Sequence, residues 1–149
     1  MNALLRWMGW IALALASVVV QAQDLPGSAA LSLRDGWIRA APPDAPVRAG
    51  YGVIGNAGKS AVVIDAVRSE AFGAIEIHEM REVEGVMRMR RVPRLVLEPG
   101  RELALEPGGL HLMLFRPAAP LAEDARVEIR FLSGEIEVAR GEFRVRQAQ

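Results

Sequence analysis

The two histidines of this 149-residue chain each travel with a methionine. Met89 follows His78 by eleven positions, and Met113 follows His111 by two. Imidazole nitrogen and thioether sulfur are donors that a soft, monovalent d¹⁰ ion accepts, whereas Mg²⁺ and Ca²⁺ take carboxylate and carbonyl oxygens. The spacing points to a copper(I) site of two nitrogens and two sulfurs from His78, Met89, His111 and Met113.

Taken one at a time these residues have plainer readings. A single histidine on a strand is more often a surface or hydrogen-bonded residue than a ligand, and a single methionine more often fills an irregular gap in a core. Their concentration changes the balance, because all four methionines beyond residue 22 fall between positions 80 and 113, with both histidines inside or beside that window. Met80 reads either as an auxiliary ligand or as hydrophobic rim, and Met87 reads as packing or rim. Glu76, Glu79, Glu82 and Glu84 read as a solvated edge.

The elements that would position the four donors are strands. Ala74–Met80 alternates so that Ile75 and Ile77 share one face while Glu76, His78 and Met80 share the other. After a turn near Val83-Glu84-Gly85, Met87 and Met89 share a face of Val86–Arg91. With a two-residue turn, His78 and Met89 lie on one face of the hairpin, directly opposite or diagonal. In Leu110–Leu114 three leucines take one face and His111 and Met113 the other.

Short apolar or alternating runs separated by turn residues continue along the chain, without a helical period. The predicted strands are Leu31–Ala40, Ala49–Ile54, Ala61–Val67, Ala74–Met80, Val86–Arg91, Leu95–Leu97, Glu102–Leu105, Leu110–Phe115, Arg126–Leu132, Ile136–Val138 and Glu142–Arg146. Pro42-Pro43, Asn56-Ala-Gly58, Glu98-Pro-Gly100, Glu106-Pro-Gly-Gly109 and Ser133-Gly134 punctuate them. The expected class is all-β, a single-domain sandwich or small Greek-key barrel.

Arg6 followed by the apolar run Trp10–Val20 and the small-residue pattern Val20-x-Ala22 predicts a secretory signal peptide over residues 1–22, cut after Ala22. The run is short for a membrane span. Residues 23–30 read as a leader and 31–147 as the domain. The mature chain carries 17 basic and 18 acidic residues, a formal charge of −1 that gives no argument for nucleic acid or an anionic membrane. The sequence contains no cysteine, so it offers no disulfide, no thiolate ligand and no lipid-attachment thiol. Methionine supplies soft sulfur that cannot be lost to a disulfide.

The arrangement His78, Met89, His111-x-Met113 resembles that of the PCu(A)C-type periplasmic copper chaperones at every interval. Asp35-Gly-Trp-Ile-Arg-Ala-Ala-Pro-Pro43, Ala49-Gly-Tyr51 followed by Asn56, Ile77-His-Glu-Met80, Gly85-Val-Met-Arg-Met89 and Leu105–Leu114 carry the likeness from about Leu31 to about Val145. The resemblance implies a cupredoxin-like β-sandwich, one Cu(I) per chain held by His78, Met89, His111 and Met113, and delivery to the dinuclear copper centre of cytochrome c oxidase, with subunit II or another copper-assembly protein as partner. It also implies a periplasmic location, and we expect a monomer. Two departures stand out: the chain lacks the His- and Met-rich tail of some relatives, and Phe115-Arg-Pro-Ala-Ala-Pro-Leu121 replaces a more apolar or lysine-containing segment.

Other classes fit less well. An electron-transfer cupredoxin needs a cysteine thiolate. An enzyme needs a nucleophile, triad or zinc spacing that the sequence does not offer, so the chain is read as a non-enzyme. A copper buffer without a dedicated recipient shares every residue with the chaperone reading, and a metal-free scaffold would leave both histidines incidental. Copper-loaded protein should show no intense blue absorption in either oxidation state, since no thiolate is present to donate charge to the metal; such a band in a visible spectrum would contradict the ligand set.

Overall fold

The computed structural model describes residues 31–148, and the expected signal peptide and leader lie outside them. Eleven strands run in order: β1 (Ser32–Arg39), β2 (Val47–Gly55), β3 (Val62–Ile64), β4 (Ala66–Arg68), β5 (Phe72–Val83), β6 (Val86–Arg91), β7 (Leu95–Leu97), β8 (Glu102–Leu105), β9 (Leu110–Pro117), β10 (Arg126–Ser133) and β11 (Ile136–Arg146). No helix occurs among the described residues, in keeping with the all-β expectation.

Seven strands close on themselves. Starting at β1 the hydrogen-bonded order is β11, β10, β4, β5, β9 and β2, and β2 pairs β1 again. The β1–β11 pairing is parallel and the others in the ring are antiparallel, so the two ends of the described chain lie side by side. Strands β6 and β8 extend the ring from β5 and β2, and β3 pairs β7 in a separate ribbon. Closure gives each ring strand a partner on both sides and, among the described residues, leaves open edges only on β6, β8 and the β3–β7 ribbon.

Alternation drives the packing. Ile38, Ile54, Ile64, Leu112, Leu114, Ile129, Phe131, Phe143 and Val145 point inward and are fully buried, each worth about 1.5–3 kcal/mol on transfer from water. Buried Asn56 is satisfied on three sides: its amide nitrogen donates to the Ser60 and Leu97 carbonyls, and its oxygen accepts from Gly58 N–H. It ties the end of β2 to β7.

Several strand ends shift by one to three residues, and three features depart further from the sequence reading. The run Ala61–Val67 divides at Asp65, whose backbone N–H donates to Leu132 O and whose carboxylate accepts from Gly134 N–H. Each half therefore joins a different sheet. The two runs at Ile136–Val138 and Glu142–Arg146 are one strand, because Gly141 is not a break. A Cβ there would lie 2.4 Å from Leu33 Cδ2, so glycine is what lets β1 pack closely on β11.

The third difference is a bulge in β1 between Arg34 and Trp37. Asp35 adopts φ 56° and the register advances by one residue, so Leu33 and Ile38, five positions apart, both reach the core while Trp37 turns outward. Gly36 sits within the bulge, where a Cβ would be 2.9 Å from the Glu142 carbonyl oxygen and 3.1 Å from the Phe143 ring. Gly36→Ala should destabilise the fold by about 1–3 kcal/mol, seen as a lower urea midpoint at unchanged slope.

Candidate metal centre

The site is built around His78, in the middle of β5. Across one edge it faces Arg91 of β6, and across the other it faces His111 of β9. Glu76 faces Met113, and Met80 faces Met89. Directly opposed residues of antiparallel strands share a face, so both histidines and both expected methionine ligands lie together on the outer face of the barrel wall. Ile75, Ile77, Leu112 and Leu114 occupy the inner face and are buried.

The hairpin geometry follows from its turn. Glu84 and Gly85 have φ of 54° and 77°, the two positive values of a type I′ turn, and Val83 pairs Val86. The register then puts Met89 diagonal to His78, the second of the two positions that the sequence allows. Met113 is likewise diagonal to His78 across β9, two residues from His111. His111 therefore lies directly opposite His78, while Met89 and Met113 lie diagonal to it on its two sides, all on one face of the sheet.

Each imidazole has one ring nitrogen engaged and one free. Their ring centroids are 6.2 Å apart. His111 is only 6 % exposed, and its Nδ1–H donates to Gly109 O at 3.0 Å, which leaves the Nε2 lone pair open. His78, with 15 % of its side chain exposed, donates Nε2–H to Glu76 Oε2 at 2.9 Å. Its Nδ1 is buried and has no hydrogen-bond partner among the described residues. A buried lone pair without a donor is uncommon in a folded protein, and here it belongs to an expected ligand. Among the described residues no three His, Cys, Asp or Glu side chains gather in a way that could hold a metal ion.

Exposure is graded across the donors. His111 is buried, His78 and Met113 are partly covered, and Met89 is 50 % exposed. The site is shallow on its hairpin side and walled on the other. Tyr51, opposite His111 by extension of the β2–β9 register, is buried with its ring 6.5 Å from the His111 ring and 4.5 Å from Trp37. Arg146 lies 4.5 Å over the Trp37 ring and Arg39 5.9 Å from the Tyr51 centroid, both within cation–π range. Phe115 stands 6.5 Å from His78.

These neighbours had no assigned role in the sequence reading. Alternation from His111 and Met113 places Phe115 on the site face, so that signal was present; Trp37 reaches it only through the β1 bulge, which alternation alone hides. Glu76 and Glu79 are corrections to the expected solvated edge. Glu76 bonds His78 and approaches Arg91 Nε at 3.6 Å. Glu79, on the opposite side of the hairpin, accepts from Arg90 at 2.7 and 2.9 Å and from Arg81 at 3.2 Å. Hydrogen bonds from Arg90, then Arg81, hold its carboxyl below the usual carboxylate range. Glu82 and Glu84 are exposed, as expected.

Residues 31–139 match the model of the family described as "Putative lipoprotein LpqE-like". The chain belongs to the LpqE-like family. A curated relative, "Putative lipoprotein Lxx21020" of Leifsonia xyli subsp. xyli (strain CTCB07), is 29 % identical over 101 residues, which is 66 % of this chain and 60 % of the relative. The LpqE-like chain thus spans about three-fifths of the length of that protein.

Three solved structures are similar to it. "Apo PCuAC domain from PmoF1" has a TM-score of 0.63 at 20 % identity, covering 80 % of this chain and 95 % of its own. "Copper-bound PCuAC domain from PmoF2" has 0.63 at 15 %, covering 80 % and 94 %. "Solution structure of CuI-DR1885 from Deinococcus Radiodurans" has 0.56 at 22 %, covering 85 % and 82 %. At these identities the likeness shows the fold: the LpqE-like chain is a single-domain, cupredoxin-like all-β barrel of the PCuAC type.

The exposure gradient has a chemical consequence. Met87 and Met89 of the LpqE-like chain should be converted to sulfoxides by dilute hydrogen peroxide well before Met113. Peptide mass mapping over time reads the order, and oxidation of Met113 at the rate of Met89 would contradict this geometry.

Proposed function

We propose that this LpqE-like chain is an exported copper(I) metallochaperone that holds one Cu(I) between His78, Met89, His111 and Met113 and passes it to the dinuclear copper centre of cytochrome c oxidase. The observation that carries the reading is the direct pairing of His78 with His111, each with an open ring nitrogen, and with two thioethers on the same face. Two borderline nitrogens and two soft sulfurs favour the cuprous ion over the cupric. Copper is the cargo here, and the reading assigns no catalysis to the chain. Two structural neighbours, one copper-bound and one a CuI form, support the same ion.

The gradient of exposure suits hand-over. Half-exposed Met89 is the donor an incoming ligand from an acceptor reaches first, whereas buried His111 is reached last. The recipient is argued from the resemblance to PCu(A)C chaperones. Export is supported by the signal-like N-terminus and by the family's description as lipoproteins, although this sequence has no cysteine to carry a lipid.

Anaerobic titration against a Cu(I) chelator should give one equivalent per chain. His111→Ala should weaken binding by more than about tenfold while circular dichroism stays unchanged, since Leu112 and Leu114 hold the strand from its other face; unaltered affinity would sink the assignment. Protons compete with copper for imidazole nitrogen, so Cu(I) affinity should fall as the solution is made more acid, which a pH series of chelator competitions reads. Mass spectrometry of mixtures with a soluble oxidase copper domain tests the recipient.

A further inference from the structure

Three of the four methionines beyond residue 22 stand on the β5–β6 hairpin, and the proposed ligand set uses one of them. Met80 faces Met89 directly, and Met87 lies two residues from Met89, opposite Glu82. All three share the His78 face. Directly opposed β-carbons are about 4.5–5.5 Å apart and diagonal ones about 7–8 Å, so the three thioethers can converge.

Packing does not account for Met87 and Met89, whereas Met80 is partly covered. Methionine ordinarily fills gaps in a core, yet Met87 is 51 % exposed, and Val83 and Val86 beside it are also exposed. Glu82 adds a carboxylate on the same face near the tip.

We propose that Met80, Met87 and Met89 form an outer, thioether-only station for a soft monovalent cation, through which Cu(I) reaches and leaves the inner set. The proposal rests on the chaperone reading of the inner four residues. Met89 belongs to both sets: it is diagonal to His78 on one side and directly opposite Met80 on the other, and its three rotatable bonds let the sulfur swing between them. The step is ligand exchange. A copper–sulfur bond to Met80 or Met87 forms as a copper–nitrogen bond to His78 or His111 breaks, copper stays Cu(I) throughout, and no electron moves. Thioethers carry no proton to release, and the freed imidazole keeps its lone pair. Because Met89 is shared, the ion occupies one station at a time, and the stoichiometry remains one.

The test uses the full chain with methionine methyl groups labelled with ¹³C and Ag(I) as a redox-inert stand-in. In the His78→Ala/His111→Ala variant, Ag(I) should still bind, more than about tenfold more weakly than in the wild type, and should shift the methyl signals of Met80, Met87 and Met89. Adding Met80→Leu and Met87→Leu should remove that residual binding, with circular dichroism confirming that each variant is folded. Unmoved Met80 and Met87 signals, or residual binding that survives in the quadruple variant, would overturn the outer station. If the double histidine variant instead binds as tightly as the wild type while the Met80, Met87 and Met89 signals shift, the inner set fails and the outer station stands. Cu(I) transfer from Met80→Leu/Met87→Leu protein to an external chelator should be slower by about tenfold, and an unchanged rate would overturn the transit role.

Discussion

The pairing of β5 with β9 is the constraint on which the rest depends. Its inner side carries Ile75, Ile77, Leu112 and Leu114, so burial of four aliphatic side chains fixes the register of the two strands. A slip of one residue would drive those groups into water and His78 and His111 into the core. The meeting of the two histidines is thus set by hydrophobic packing on the other side of the wall, and the polar groups need contribute little to it.

The same separation governs the hairpin. Two residues with positive φ, Glu84 and Gly85, decide which β6 side chain faces which on β5. On the back of the hairpin, Glu79 joins Arg81 and Arg90; exposed pairs of this kind add little stability but tie the two strands across their register. On the far side of the site, the bulge at Asp35 turns Trp37 onto Tyr51 and so backs His111 with an aromatic wall. Each donor is aimed by groups that are not donors.

Much of this was legible in the sequence because strand alternation is a strict period of two. It places His78 with Met80 and His111 with Met113, and the odd sum of a two-residue turn restricts Met89 to two positions. What stayed hidden depends on contacts between distant segments. Gly141 looks like a break until Leu33 is seen lying against it, and Asp65 looks like mid-strand until Leu132 and Gly134 claim its polar groups. The tie between Glu76 and His78 is a choice of side-chain direction that no spacing encodes. The proposed ligand set, in contrast, rests on residue chemistry, since soft sulfur and imidazole can be recognised without coordinates.

The outward placement of the histidine–methionine face also bears on the life of the empty protein. Small domains built around a structural metal lose their fold with the ion, whereas here the barrel's apolar interior is complete on the opposite side of the same strands. Occupancy of the outer face would add a mass-action increment to a fold that already exists, rather than create it. A chain of this design keeps its shape whether or not that face is occupied, and a folded chain resists proteolysis.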